Sequence, residues 1–169
     1  MKKGRFLCAF LAAFALLLVL WGWVDASRWY TRALLAGAGM LGPSLHGWVL
    51  EAPPHGQELP VWVHGNNRVR LALQFDALAV GVVPALALLL ATPGLRIRRR
   101  ALLLGVAATL CFGIDTMIVA LFPVLVFHKN PLTDVVGTFL GLIAFVGAPV
   151  IIWFVLAFPQ LRQFLRPLR

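Results

Sequence analysis

Residues 71–127 read as two long apolar runs joined by a short arginine-rich connection: LALQFDALAVGVVPALALLLAT, then PGLRIRRR, then ALLLGVAATLCFGIDTMIVALFPVLVF. Each run is long enough to cross a bilayer as a helix, which takes about 20 residues. Arg96, Arg98, Arg99 and Arg100 lie within five positions of the connection. A short loop so charged, between two spans, is held on the cytoplasmic side. This hairpin sets the rest of the topology and predicts a small polytopic membrane protein.

Composition agrees. The chain has 169 residues, of which 61% are hydrophobic and 12% charged, about half the charge of an ordinary soluble domain. The net charge of +9 does not point to nucleic acid, because the basic residues sit at the ends of apolar runs and not on a polar face. Ten of the fifteen Lys and Arg fall in three segments expected on the cytoplasmic side: Lys2, Lys3 and Arg5; Arg96, Arg98, Arg99 and Arg100; Arg162, Arg166 and Arg169. The four histidines, His46, His55, His64 and His128, all fall on the other side. Cys8 and Cys111 lie inside apolar segments and read as small hydrophobes.

The expected fold is an all-α membrane protein: a four-helix transmembrane bundle with both termini cytoplasmic and a small external cap containing a β-hairpin. It forms a single domain. Spans are predicted at residues 6–24, 75–92, 101–127 and 134–158, with the external cap at 25–74, the cytoplasmic loop at 93–100 and a basic cytoplasmic tail at 159–169. The first run has a basic start, and Val24-Asp25-Ala26 resembles a signal-peptide cleavage site. The length of the run favours a retained helix, as do Trp21, Trp23, Trp29 and Tyr30 at its outer end, which form an interfacial aromatic belt. Ser27 to Leu45 reads as a short amphipathic helix on the outer leaflet. Further on, VWV and RVRLAL flank Gly65-Asn66-Asn67, the signature of a hairpin. Thr138, Gly141 and Ala144 form a small-residue stripe in the last span that would let another helix approach closely.

Asp115 is the sharpest anomaly, an acid placed midway through the third predicted span, where it costs roughly 2.5–3.5 kcal/mol. Such a residue faces the bundle and has a partner. Two readings stand: a proton relay, substrate contact or inter-protein contact, or a locally satisfied structural group bonded to Thr109, Thr116 or the backbone. Asp76, at the outer mouth of the second span, is placed to pair with Arg68 or Arg70. His46, His55 and His64 recur every nine residues, without the close ligand pairs of a metal site. No metal or cofactor is implied. No catalytic signature of serine hydrolases, zinc peptidases or nucleotide-binding loops is present.

The layout FDALAVGVVPALALLLATPGLRIRRRALLLGVAATLCFGIDTMIVAL resembles the exosortase/archaeosortase group of integral-membrane cysteine transpeptidases. In that group an outer-face Cys opens a helix, an arginine-rich cytoplasmic turn follows, and the next helix carries an Asn-x-x-Arg motif, with a His later. Here Asp76 stands where the Cys would be, Asp115 stands for the Asn and Ile118 for the Arg, and His128 lies loosely near the His. The thiolate and the arginine are therefore missing. In size and pattern the chain is also similar to the small membrane proteins that accompany such enzymes. The resemblance implies a non-catalytic accessory of a protein-sorting or envelope-export system. It would sit in the bacterial cytoplasmic (inner) membrane and contact a sortase-like peptidase or the C-terminus of an exported protein. The alternative is a small membrane enzyme or transporter using Asp76, Asp115 and His128 as ionisable groups.

Overall fold

A computed structural model of the chain describes residues 3–51, 60–70, 75–127, 135, 137 and 147–165. These contain five helices and one small sheet, in the order α1 (Lys3–Trp23), α2 (Ala26–His46), β1 (Val49–Glu51), β2 (Val61–His64), β3 (Asn67–Arg70), α3 (Phe75–Ala91), α4 (Ile97–Phe127) and α5 (Ala148–Leu165). Two helices, Gly4–Trp23 and Ile97–Phe127, are long and apolar enough to cross a membrane. The apolar stretches Gly81–Ala91 and Ala148–Pro159 are shorter. The first part of the predicted span 134–158 lies outside the described residues.

The hairpin of α3 and α4 forms as the sequence predicts. Helix α4 begins at Ile97, so Arg98, Arg99 and Arg100 of the expected cytoplasmic loop occupy its first turn. Arginine is a good helix former, and Pro93-Gly94 supplies the whole reversal, with Gly94 at φ 77°, a value that suits a residue without Cβ. The end of α3 is tied down three times. The Thr92 hydroxyl donates to the Leu88 carbonyl at 2.7 Å, the Arg100 guanidinium donates to the Thr92 carbonyl at 3.0 Å, and the Trp153 indole N–H donates to the Thr92 hydroxyl at 3.0 Å. Phe6 of α1 meets Trp153 of α5 with ring centroids 6.2 Å apart. The basic start of α1, the end of α3, the start of α4 and the middle of α5 thus share one end of the bundle. The last helix also runs further than expected, through Pro159 to Leu165, into residues read as tail.

At the other end α1 stops at Trp23, and Asp25, in the left-handed region at φ 50°, stands at the N-cap position of α2 without a side-chain capping bond. Helix α2 is not a detached surface helix. Its contacts advance with those of α4: Tyr30 on Phe112, Gly37 against the Thr116 methyl, His46 on the Ala120 carbonyl, and Trp48, just beyond α2, on Phe127. About 24 Å of α2 is matched by only about 12 Å of α4, so α2 crosses α4 obliquely in the same sense. Leu34, Ala38 and Gly42 are buried on its inner side, and Trp29, Met40 and Leu45 are exposed on its outer side.

The sheet has the order β1-β2-β3, antiparallel throughout. The predicted hairpin is β2–β3, with His64 paired to Asn67 across the Gly65-Asn66 turn. Gly65 has φ 58° and fills the first central position, where a primed turn needs positive φ. The stretch at 49–51 adds the third strand within the chain.

Candidate functional site

Asp115 is 5% exposed and has a partner from a distant part of the chain: the Tyr30 hydroxyl donates to its carboxylate at 2.7 Å. Tyr30 is held from both sides by aromatic rings, Trp21 at 5.8 Å and Phe112 at 5.8 Å between centroids. Burial first, then the bond to Asp115, raise the Tyr30 phenol above its usual range, so the hydroxyl remains a donor. Thr116, beside Asp115, donates to the Phe112 carbonyl at 2.7 Å and does not reach the carboxylate. The arrangement ties α2 to α4.

Asp115 lies about 27 Å along α4 from Ile97, a little past the middle of the helix, beside Tyr30 and Trp21 near the end of α1. Helix α4 has 31 residues, about 46 Å, and its last turns continue past Asp115.

Those last turns carry a second constellation that the sequence did not single out. His46 accepts the Trp48 backbone N–H on Nδ1 at 3.2 Å. Because that N–H can only donate, the ring hydrogen is on Nε2, which donates to the Ala120 carbonyl at 2.6 Å. His64 takes the opposite tautomer, with Nδ1 donating to the Gly47 carbonyl at 3.0 Å. Its ring packs on Trp48 at 5.4 Å. Trp62 is fully buried, seated on Gly42 and edge-on to His46 at 5.8 Å. A Cβ at Gly42 would collide with the Trp62 ring and approach the Trp48 carbonyl to 2.9 Å, so only glycine forms this notch. The nearest sequence signal is the run Ala36-Gly37-Ala38-Gly39 with Gly42, small residues at helical spacing.

Of the other predicted site residues, Arg68 is the one whose side chain is described, and it is not the partner of Asp115. Asp76 is in the first turn of α3, and its side chain lies outside the described part. Arg68, on β3, is exposed and pairs in register with Val63, and Arg70 ends β3 opposite Val61. His128, Thr138, Gly141, Ala144 and His55 lie outside the described residues. No three metal-ligating side chains gather among the described residues. An open apolar groove of about 450 Å³ runs along α4 from Thr109 to Leu121 past Gly113. Asp115 does not line it.

Comparison with protein-family models, with curated proteins and with solved structures finds no match.

Proposed function

We propose that this chain is a multi-pass membrane protein whose ordered outer cap is a docking element for another protein, and that it is not itself a catalyst. The observation that carries this is the length and loading of α4. A hydrocarbon core is about 30 Å thick, and α4 exceeds it by about 16 Å. The excess is packed. Val119 and Ala120 share a buried cluster with Ala38, Trp48, Trp62 and Val69, so the sheet and the end of α2 ride on α4 as one piece. In this frame the aromatic residues Trp21, Trp23, Trp29 and Tyr30 stand at the outer interface, where such residues concentrate. Asp115 sits at their level and is engaged in tying α2 to α4, which supports the packing role over proton relay.

The finer assignment follows the layout of residues 75–127. An arginine-rich cytoplasmic turn between two apolar helices, with Asp76 where a transpeptidase would carry its thiol, fits a non-catalytic companion of an exosortase-type enzyme in a bacterial cytoplasmic membrane. Its partner is that peptidase or the C-terminal segment of a sorted protein. The test is purification of the tagged chain from native membranes in mild detergent, followed by mass spectrometry, beside Trp62→Ala. Recovery of a membrane peptidase or a sorted protein with the parent chain, and its loss with Trp62→Ala, is the expected result. Recovery of the chain alone, or equal recovery with the variant, would overturn the docking role.

A further inference from the structure

We propose that His46 is a proton-operated latch on the cap: the neutral ring holds the cap closed, and its second proton releases it. The inference rests on the geometry at the end of α2 and not on the docking role. His46 is the last residue of α2, and its ring joins three parts of the fold. Nε2 donates to the Ala120 carbonyl of α4, and Nδ1 accepts the Trp48 N–H at the entrance to β1. The ring also meets Trp62 of β2 edge-on. Gly47, between His46 and Trp48, is left-handed at φ 73°, and its N–H bonds back to the Pro43 carbonyl. The chain therefore leaves α2 by a fixed path that brings the Trp48 N–H onto Nδ1.

A charged imidazole carries a hydrogen on both nitrogens and accepts nothing. On His46 the added hydrogen lies on Nδ1, directly against the Trp48 N–H. That bond is lost, and two donors face each other beside Trp48, which is 5% exposed, where an unmet donor is costly. Turning the ring over does not help, because the Trp48 N–H needs an acceptor and the charged ring has none. His64 is the contrast. Its Nδ1 already donates to the Gly47 carbonyl, and a second hydrogen goes to Nε2, so that bond survives. Of the other ionisable groups described on the elements packed here, Asp115 of α4 is bonded to Tyr30, and Glu51 of β1 and Arg68 of β3 are exposed. Arg28 and Arg32 stand toward the far end of α2. The open cap admits the second proton without losing a bond, so acid favours opening.

The full chain in detergent is treated briefly with proteinase K one pH unit above and one below the point, at about pH 6.5, where an exposed imidazole takes its second proton. Cleavage within 61–70 is located by mass spectrometry and corrected with an unstructured peptide cut at the same pH. One linked proton gives about tenfold faster cleavage at the lower pH. The His64→Gln protein keeps that step, and the His46→Gln protein loses it. No step in the parent chain, the same step in His46→Gln, or its loss in His64→Gln would overturn the latch. Should either variant leave the cap open at both pH values, the parent's own ring decides, read by nitrogen magnetic resonance with isotope-labelled histidine. Hydrogen on Nε2 alone at the higher pH, with Nδ1 gaining its hydrogen in step with cleavage, is expected. That gain while the strands still resist cleavage would overturn the latch.

Discussion

Two buried clusters share α4 and are built on different terms. The lower one joins Val82, Ala85, Leu89, Leu95, Leu103, Ala107, Cys111, Ala148 and Ile152, which are aliphatic or small and make no side-chain hydrogen bond across the cluster's centre. The upper one joins Ala38, Trp48, Trp62, Val69, Val119 and Ala120, where the Trp62 indole fits against a glycine notch and His46 bridges α2 to α4. Aliphatic side chains of similar volume substitute for one another at modest cost. An indole seated on Gly42 has no substitute of equal shape. The lower cluster is therefore specified by pattern and the upper one by individual residues, and the two should respond differently to substitution.

The largest effect is expected at the notch. Trp62→Ala should remove about 3–5 kcal/mol and open the strands at 49–51 and 61–70 to limited proteolysis while the helical content is unchanged. Gly42→Leu should do nearly the same from the other side, with overpacking costing about 1–3 kcal/mol. A Gly42→Leu protein whose cap remains protease-resistant would break the comparison.

Next comes the tie between the two regions. Tyr30→Phe leaves the buried Asp115 carboxylate without its donor and should cost about 1–3 kcal/mol in thermal unfolding in detergent. Asp115→Asn keeps an acceptor for the Tyr30 hydroxyl and should cost clearly less. The pair should be non-additive in a double-mutant cycle, and an additive result would mean that the bond contributes nothing to stability.

The smallest effect belongs to the lower cluster. Leu103→Met should cost under about 1.5 kcal/mol, with the cap's protease resistance unchanged. A Leu103→Met effect as large as that of Trp62→Ala would remove the distinction between the two cores.

The α3–α4 hairpin was legible because its signals are local: apolar runs of membrane length, Pro93-Gly94, and the arginines that follow. The β2–β3 hairpin was legible for the same reason, with Gly65-Asn66 between alternating residues. The arginines mark the end of an apolar run and not the end of a helix, so the start of α4 at Ile97 was not legible. Within the candidate site, Asp115 stood out as an acid in an apolar run, but its partner did not. Tyr30 is 85 positions away, and its sequence setting marks it only as part of an aromatic belt. His46 and His64 were weighed as metal ligands, whereas each is engaged with a backbone carbonyl.

By itself the sequence determined two helices long and apolar enough for a bilayer, Gly4–Trp23 and Ile97–Phe127, where the chain reverses between α3 and α4, and where its charge concentrates. Those properties depend on neighbours within a turn or two and on summed transfer free energy. Only the tertiary structure decided that α2 crosses α4 obliquely, that Asp115 lies level with the end of α1, and that Trp62 sits on Gly42. Each depends on the relative placement of elements far apart in the chain. No periodicity encodes that placement, and it is settled by which side chains fit together once the helices meet.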